Sequence, residues 1–412
     1  MIFEKEHITD ICFNQLKPLW LSTTKVFPDF MKAIPIETKR INESFIQKRG
    51  KKISRHFSKN RLRKSWAKKT KVLMSQFIQD ESILNISSHL SSDTLTGIET
   101  ELMKFLSAAR QFAPDLPVAN LGQAARNYLV YAMFLELIGK NQSFTPAILG
   151  YSMLYPITDN YIDSQRTNKE KNDFNILISN KIKGEHVSPV GFYDIKACEL
   201  LSYIEDVYPR DRETDIYSGL MLMLEAQQES MKQQSTVVFS AENRLDISLF
   251  KGGVSVLIDR YMADARITED ELRFFLGFGF ILQLADDLQD ISSDLSEGNQ
   301  TLFTLEQNPD LLEALVNQLL QFVQQLFQSF SFANTSFYEF LYLSTIDLLI
   351  MSIQMSQSHF NPSYLKKIEA YFPVSFELLE QYTKDSALYP ADLEENDLLS
   401  GLDSFLKQSH TL

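Results

Sequence analysis

The chain has 412 residues, 44% hydrophobic, 12% aromatic and 23% charged, enough to bury one large core or two ordinary ones beneath a soluble surface. That composition excludes a disordered, collagen-like or disulfide-framed protein, and its two cysteines, Cys12 and Cys198, are too few for a thiolate metal site. Net charge is −13 but uneven: residues 1–75 carry 18 Lys/Arg against 6 Asp/Glu and the rest 22 against 47, an acidic body unsuited to non-specific nucleic-acid binding.

Only 14 glycines and 13 prolines punctuate the chain, and its apolar residues recur at helical spacing, so an all-α protein is expected. The start has neither the basic nor the apolar region of a signal peptide, and the basic extension expected over 1–90 is read as helical. Its run from Lys48 to Lys71 has twelve Lys/Arg and no acid. It reads as a solvated arm or, alternatively, as a surface attracted to anionic lipid, with nucleic acid a weaker third reading. Helices are then expected over 93–111, 118–138 and 146–163. Residues 164–194 form a long polar gap with weak periodicity, expected to be a lid or disordered. Further helices are expected over 195–206, 210–233, 241–263, 268–293, 309–330, 335–355 and 362–385, with an acidic tail over 391–412. The most apolar stretch, 337–353, is interrupted by Glu339 and Asp347, so no membrane span and a cytoplasmic location, with at most surface contact to a membrane, are expected.

The chemistry is concentrated near the end of the helix opened by Thr268, which with Glu271 fits a capping box and is followed by the packing stripe Leu272, Phe275, Leu276 and Phe280. At 100° per residue Asp286, Asp290 and Asp294 form one acidic ribbon, with Asp287 beside it. Like charges four residues apart, near a helix C-terminus, repel one another and oppose the helix dipole, so a countercharge is expected; hard divalent cations such as Mg2+ suit carboxylate oxygen and bridge to phosphates. A second pair, Asp159 and Asp163, ends an otherwise apolar helix at the same spacing. A solvated helix end is the bland alternative for each. The six histidines are scattered, and neither a P-loop nor a G-x-S-x-G elbow is present.

The run Gln283-x-x-Asp286-Asp287-x-x-Asp290-x-x-x-Asp294 resembles the second aspartate-rich motif of trans-prenyl diphosphate synthases. Asp159-Asn160-x-x-Asp163 resembles the reduced first motif of bacterial large terpene synthases of the tetraprenyl-curcumene type. The resemblance, over roughly residues 90–390, is to class I isoprenoid synthases and implies a helical bundle with the active site in its core. It implies several Mg2+ ions held by Asp159, Asp163, Asp286 and Asp290, with Asp287 and Asp294 as further candidates. Lys251, Arg166 and Gln283 would bind the diphosphate of a prenyl diphosphate substrate, and Tyr151, Tyr155, Phe274 and Phe278 would line the hydrocarbon cavity. The glycines after Lys251 would permit a helix break. Gly298 is followed by Asn299 where elongating relatives carry lysine, and no N-terminal Gly-Lys-Arg element stands in the chain, which favours ionisation of one prenyl diphosphate over condensation of two. A prenyltransferase and a non-catalytic prenyl-lipid binder remain the alternatives, and a homodimer is the further partner expectation.

Overall fold

Helices form where the pattern places them because caps and apolar stripes agree. Thr268 accepts from the Glu271 N–H at 3.3 Å while the Glu271 carboxylate takes the Thr268 N–H at 2.9 Å, and the helix Glu269–Gln289 follows. The whole stripe Leu272, Phe275, Leu276 and Phe280 is buried. The computed structural model describes residues 2–57, 65–80, 83–163, 166–234, 238–384 and 395–409, and among them no strand occurs. The helices Pro146–Asp163, Ala241–Ala263 and Thr335–Met355 have the bounds expected.

The chain divides into two compact units. The first comprises residues 1–29, 127–140 and 145–365, and the second residues 30–126, 141–144 and 366–412. This differs from the expected division at 90 and 390, for a reason visible at each end. In the first unit, residues 5–22 run as the helix Lys5–Asp10, a π-helical stretch Ile11–Leu16 and the helix Lys17–Ser22. The wider π turn shifts the apolar register, and Ile8, Ile11, Leu16 and Trp20 are all buried, Trp20 edge-on to Phe280 and Phe322 at 5.2 and 5.6 Å. The first residues therefore belong to the core of this unit rather than to a basic arm. In the second unit, the expected acidic tail contains the helix Glu395–Ser409, which packs against the helices Ser65–Asp80 and Ser92–Phe112. Asp403 takes two hydrogen bonds from the Arg110 guanidinium, at 2.9 and 3.1 Å. Residues 58–64 of the basic run lie outside the described residues; the remainder is carried on the helices Ile36–Phe57 and Ser65–Asp80.

The polar gap at 164–194 is in large part ordered helix, Asn168–Lys183, in the first unit. A second capping box, Thr167 with Glu170, opens it, and Gly184 closes it at φ 81°, a left-handed conformation that favours glycine. Phe174, Ile178 and Ile182 form a buried i, i+4 stripe that the surrounding Asn and Lys residues conceal in the sequence. The helix Thr335–Met355 is long and apolar enough to cross a membrane by length and composition alone; half of it is buried within this unit, against the helices Glu269–Gln289 and Pro309–Gln328.

Candidate functional site

The helix Ala241–Ala263 is the centre of the site. It packs along the helix Glu269–Gln289, which bears the acidic ribbon, and also touches the helix Pro146–Asp163, which bears the first acidic pair. The glycines after Lys251 do not break it: the helix is continuous, and they allow backbone contact instead. A Cβ on Gly252 would lie 2.4 Å from the Gly279 carbonyl oxygen, and one on Gly279 would lie 2.1 Å from that of Gly252, so neither position has room for a side chain.

This close seam brings Ser248 and Lys251 to the face of Gln283 and Asp287. The Gln283 amide donates to Asp287 Oδ1 at 2.8 Å, and the Ser248 hydroxyl donates to Asp287 Oδ2 at 3.0 Å. Asp287 is buried, and burial pushes its carboxyl up to about 7 against the pull of these two donors and of nearby Lys251. It thus joins the two helices rather than facing outward with the ribbon, and Gln283, expected on a diphosphate, is engaged in holding it.

The ribbon itself is solvent-facing, with Asp286 exposed and Asp290 and Asp294 half-buried. The helix ends at Asp290, where φ is −99° and ψ 13°, and the short helix Ile291–Glu297 begins. The spacing of four survives this joint, because the Asp290 N–H bonds the Asp286 carbonyl at 3.0 Å and the Asp294 N–H bonds the Asp290 carbonyl at 2.9 Å. Burial, and then repulsion from Asp290 and Asp286, raise the Asp294 carboxyl to about 6, although the Asn299 amide donates to it at 3.1 Å. Asn299 is therefore a partner of the ribbon. Among the described residues, no three His, Cys, Asp or Glu side chains converge closely enough to hold a metal ion unaided.

The backbone of Asp159 and Asp163 completes the helix Pro146–Asp163, but their side chains, like that of Asn160, lie outside the described residues. Just beneath that end of the helix lies a cavity of about 70 Å³ within the first unit. Its walls come from the helices Pro146–Asp163, Asn168–Lys183, Phe192–Val207, Thr214–Ser230 and Ala241–Ala263, with Asn127 from the helix Val118–Leu137. Tyr151 and Tyr155 are in its wall, Tyr155 at 37% exposure and Tyr151 buried. Phe274 and Phe278 do not line it. They are stacked on one another at 5.9 Å in a cluster with Phe275, Phe327 and Phe332, an aromatic core. Arg166 lies against two tyrosines that also touch each other, 4.1 Å from the Tyr161 ring and 5.1 Å from that of Tyr193.

Three buried or part-buried polar residues carry structure that the motifs do not announce. Arg244 fixes the segment after the ribbon through the Thr301 carbonyl at 2.9 Å and the Gln300 side chain at 3.0 Å. Asp259, at 1% exposure, accepts from the Asn127 amide at 3.0 Å. A lone acid within the run Val254–Met262 is the signal in the sequence for Asp259; Asn127 and Arg244 carry none, since their partners are distant in sequence.

No family model matches the chain, and no curated protein matches it. Among solved structures, it is similar to a geranylgeranyl pyrophosphate synthase with a TM-score of 0.33 and 13% identity, over 71% of this chain and 98% of that one.

Proposed function

We propose that this chain is a class I terpene synthase that ionises a linear prenyl diphosphate with Mg2+ and converts the allylic cation to a cyclic terpene. The observation that carries the reading is the solvent-facing carboxylate ribbon, Asp286, Asp290 and Asp294, at the end of a helix whose other residues are largely buried. Like charges at this spacing repel one another, and burial together with Asp290 and Asp286 raises the Asp294 carboxyl, so a cation would relieve the ribbon. The donor set suits Mg2+, which binds through one or two carboxylates and completes its shell with water and substrate phosphates rather than within a protein cage. Asp286 and Asp290, with Asp159 and Asp163 from the first motif, would hold the ions, and Asp294 would join them. When bound, the metal supplies positive charge to the departing diphosphate. Asp287, held by Ser248 and Gln283, fixes the ribbon helix against the helix that presents Lys251, and Lys251 adds a cation for the same leaving group. Tyr151 and Tyr155 line the apolar cavity, where hydrocarbon and cation would be kept from water.

A cavity of about 70 Å³ is well below the ~300–1,000 Å³ of small-molecule sites, so binding on this reading requires side chains at its mouth, Tyr155 foremost, to move. The test is to incubate the purified protein with Mg2+ and C10 to C25 prenyl diphosphates, with and without isopentenyl diphosphate, measuring diphosphate release and extracting products. Mg2+-dependent release without isopentenyl diphosphate is expected, falling at least ~100-fold in Asp286→Ala or Asp290→Ala and vanishing in EDTA. Consumption of isopentenyl diphosphate into longer linear diphosphates would replace this reading by a prenyltransferase. Absence of release from every substrate would overturn it.

A further inference from the structure

The cavity beneath the first acidic pair is apolar over most of its wall, and three of its polar side chains, Tyr151, Thr158 and Asn127, donate to partners within the fold. The Tyr151 hydroxyl donates to the Ser255 carbonyl at 3.0 Å, and the Thr158 hydroxyl donates to the Leu154 carbonyl at 2.9 Å. The Asn127 amide gives its two N–H bonds to Asp259 Oδ1 and to Ser152 Oγ, both at 3.0 Å. An amide has two N–H donors and one carbonyl oxygen, so the atom Asn127 has left for the cavity is an acceptor. Among these groups, the donors are spent and an oxygen remains.

Asp259 is the reason the amide stays in that orientation, and its placement is costly. It is buried near the C-terminal end of the helix Ala241–Ala263, where burial drives its carboxyl well above the ordinary range, and an apolar residue of similar size would pack at lower cost.

We infer that Asn127 contacts the substrate: its side-chain carbonyl, aimed by the buried Asp259 and by Ser152, is a fixed negative dipole that stabilises positive charge on the hydrocarbon within the cavity. The inference rests on the terpene-synthase reading and deepens it, making Asn127 the contacting residue and Asp259 a positioning residue. It also defines what the cavity favours: an apolar chain carrying a cationic centre, over the same chain without charge.

The test compares binding of N,N-dimethylfarnesylamine, an ammonium at pH 7, with that of uncharged farnesyl methyl ether by calorimetry in the presence of Mg2+ and inorganic diphosphate. The unmodified protein is expected to prefer the ammonium at least about tenfold. Asn127→Leu should bring that ratio close to one, and Asn127→Asp should keep or raise it. Asp259→Leu should lower the ratio, whereas a merely structural role would weaken both ligands alike. Should Asn127→Leu fail to fold, Asn127→Gln, which moves the amide by one methylene off Asp259, carries the same expectation. An unchanged ratio in the Leu or Gln variant, or equal weakening of both ligands, overturns the inference, while the functional reading stands on diphosphate release by the unmodified protein. If the unmodified protein binds neither ligand and releases no diphosphate from prenyl substrates, the functional reading falls and the inference with it.

Discussion

The two sides of the helix Ala241–Ala263 solve opposite problems with the same backbone. Towards the ribbon helix, Gly252 and Gly279 let the main chains touch, so the separation of Ser248 and Lys251 from Gln283 and Asp287 is set by backbone contact and has no slack. Towards the helix Pro146–Asp163, Ser255 and Tyr151 hold the pair through one hydroxyl-to-carbonyl bond and a cavity remains beside them. The side that carries Lys251 and the carboxylates is closed by backbone contact, and a small cavity is left on the other.

The most disruptive way to break this contrast is to fill the seam. Gly279→Val is expected to destabilise the first unit by more than ~3 kcal/mol, because the new atoms meet main chain that cannot rotate away. Gly122→Ala, on a helix position where an added Cβ meets nothing within 4 Å, should instead raise stability by about 0.5–1 kcal/mol. Thermal melts of the two variants beside the parent check both signs.

A smaller effect reads the electrostatics of the seam. The Asp287 carboxyl stands at about 7 in the folded protein, above its unfolded value, so the folded state binds more protons. Its contribution is therefore neutral below about pH 4 and becomes a growing penalty as pH rises towards about 7, at up to about 1.4 kcal/mol per unit. Asp287→Asn, whose amide oxygen can accept from Gln283 while its NH2 donates to the Ser248 hydroxyl, should flatten this decline, and denaturant titrations of parent and variant between about pH 4 and about pH 8 measure it. Equal pH slopes would place the decline elsewhere.

The smallest stability change is expected on the open side. Tyr155→Ala removes a part-exposed ring at the cavity mouth and should alter stability by no more than about 0.5 kcal/mol. On the proposed function it should also shift substrate preference towards a longer prenyl diphosphate or change the product mixture, without any demand for isopentenyl diphosphate. Unaltered substrate preference and products would remove Tyr155 from the specificity determinants.

Legibility in the sequence followed the range of the interaction. The Thr268–Glu271 cap, the buried stripe from Leu272 to Phe280 and the spacing of Asp286, Asp290 and Asp294 depend on residues three or four apart, and a 3.6-residue period states them directly. The helix Asn168–Lys183 was equally local, yet its stripe of three apolar residues was outnumbered by Asn and Lys, so composition concealed what the cap and Gly184 announced. Phe274 and Phe278 illustrate the opposite error. Their spacing from Asp286 is correct for a cavity face, but that face meets Phe327 and Phe332.

By itself the sequence determined an all-helical chain, the ends of its capped helices and a ribbon of carboxylates that repel one another, because dihedral preference, capping and like-charge repulsion act between near neighbours. Only the tertiary structure decided that Asp287 turns inward to Ser248, that the glycines after Lys251 seal a seam rather than open a kink, and that Asn127 spends its donors on Asp259 and Ser152. Those pairs lie 39, 27, 132 and 25 residues apart, from Ser248–Asp287 and Gly252–Gly279 to Asn127–Asp259 and Asn127–Ser152. At such separations the partner of a buried polar atom or a bare backbone is chosen by which helices pack together, and no local pattern records that choice.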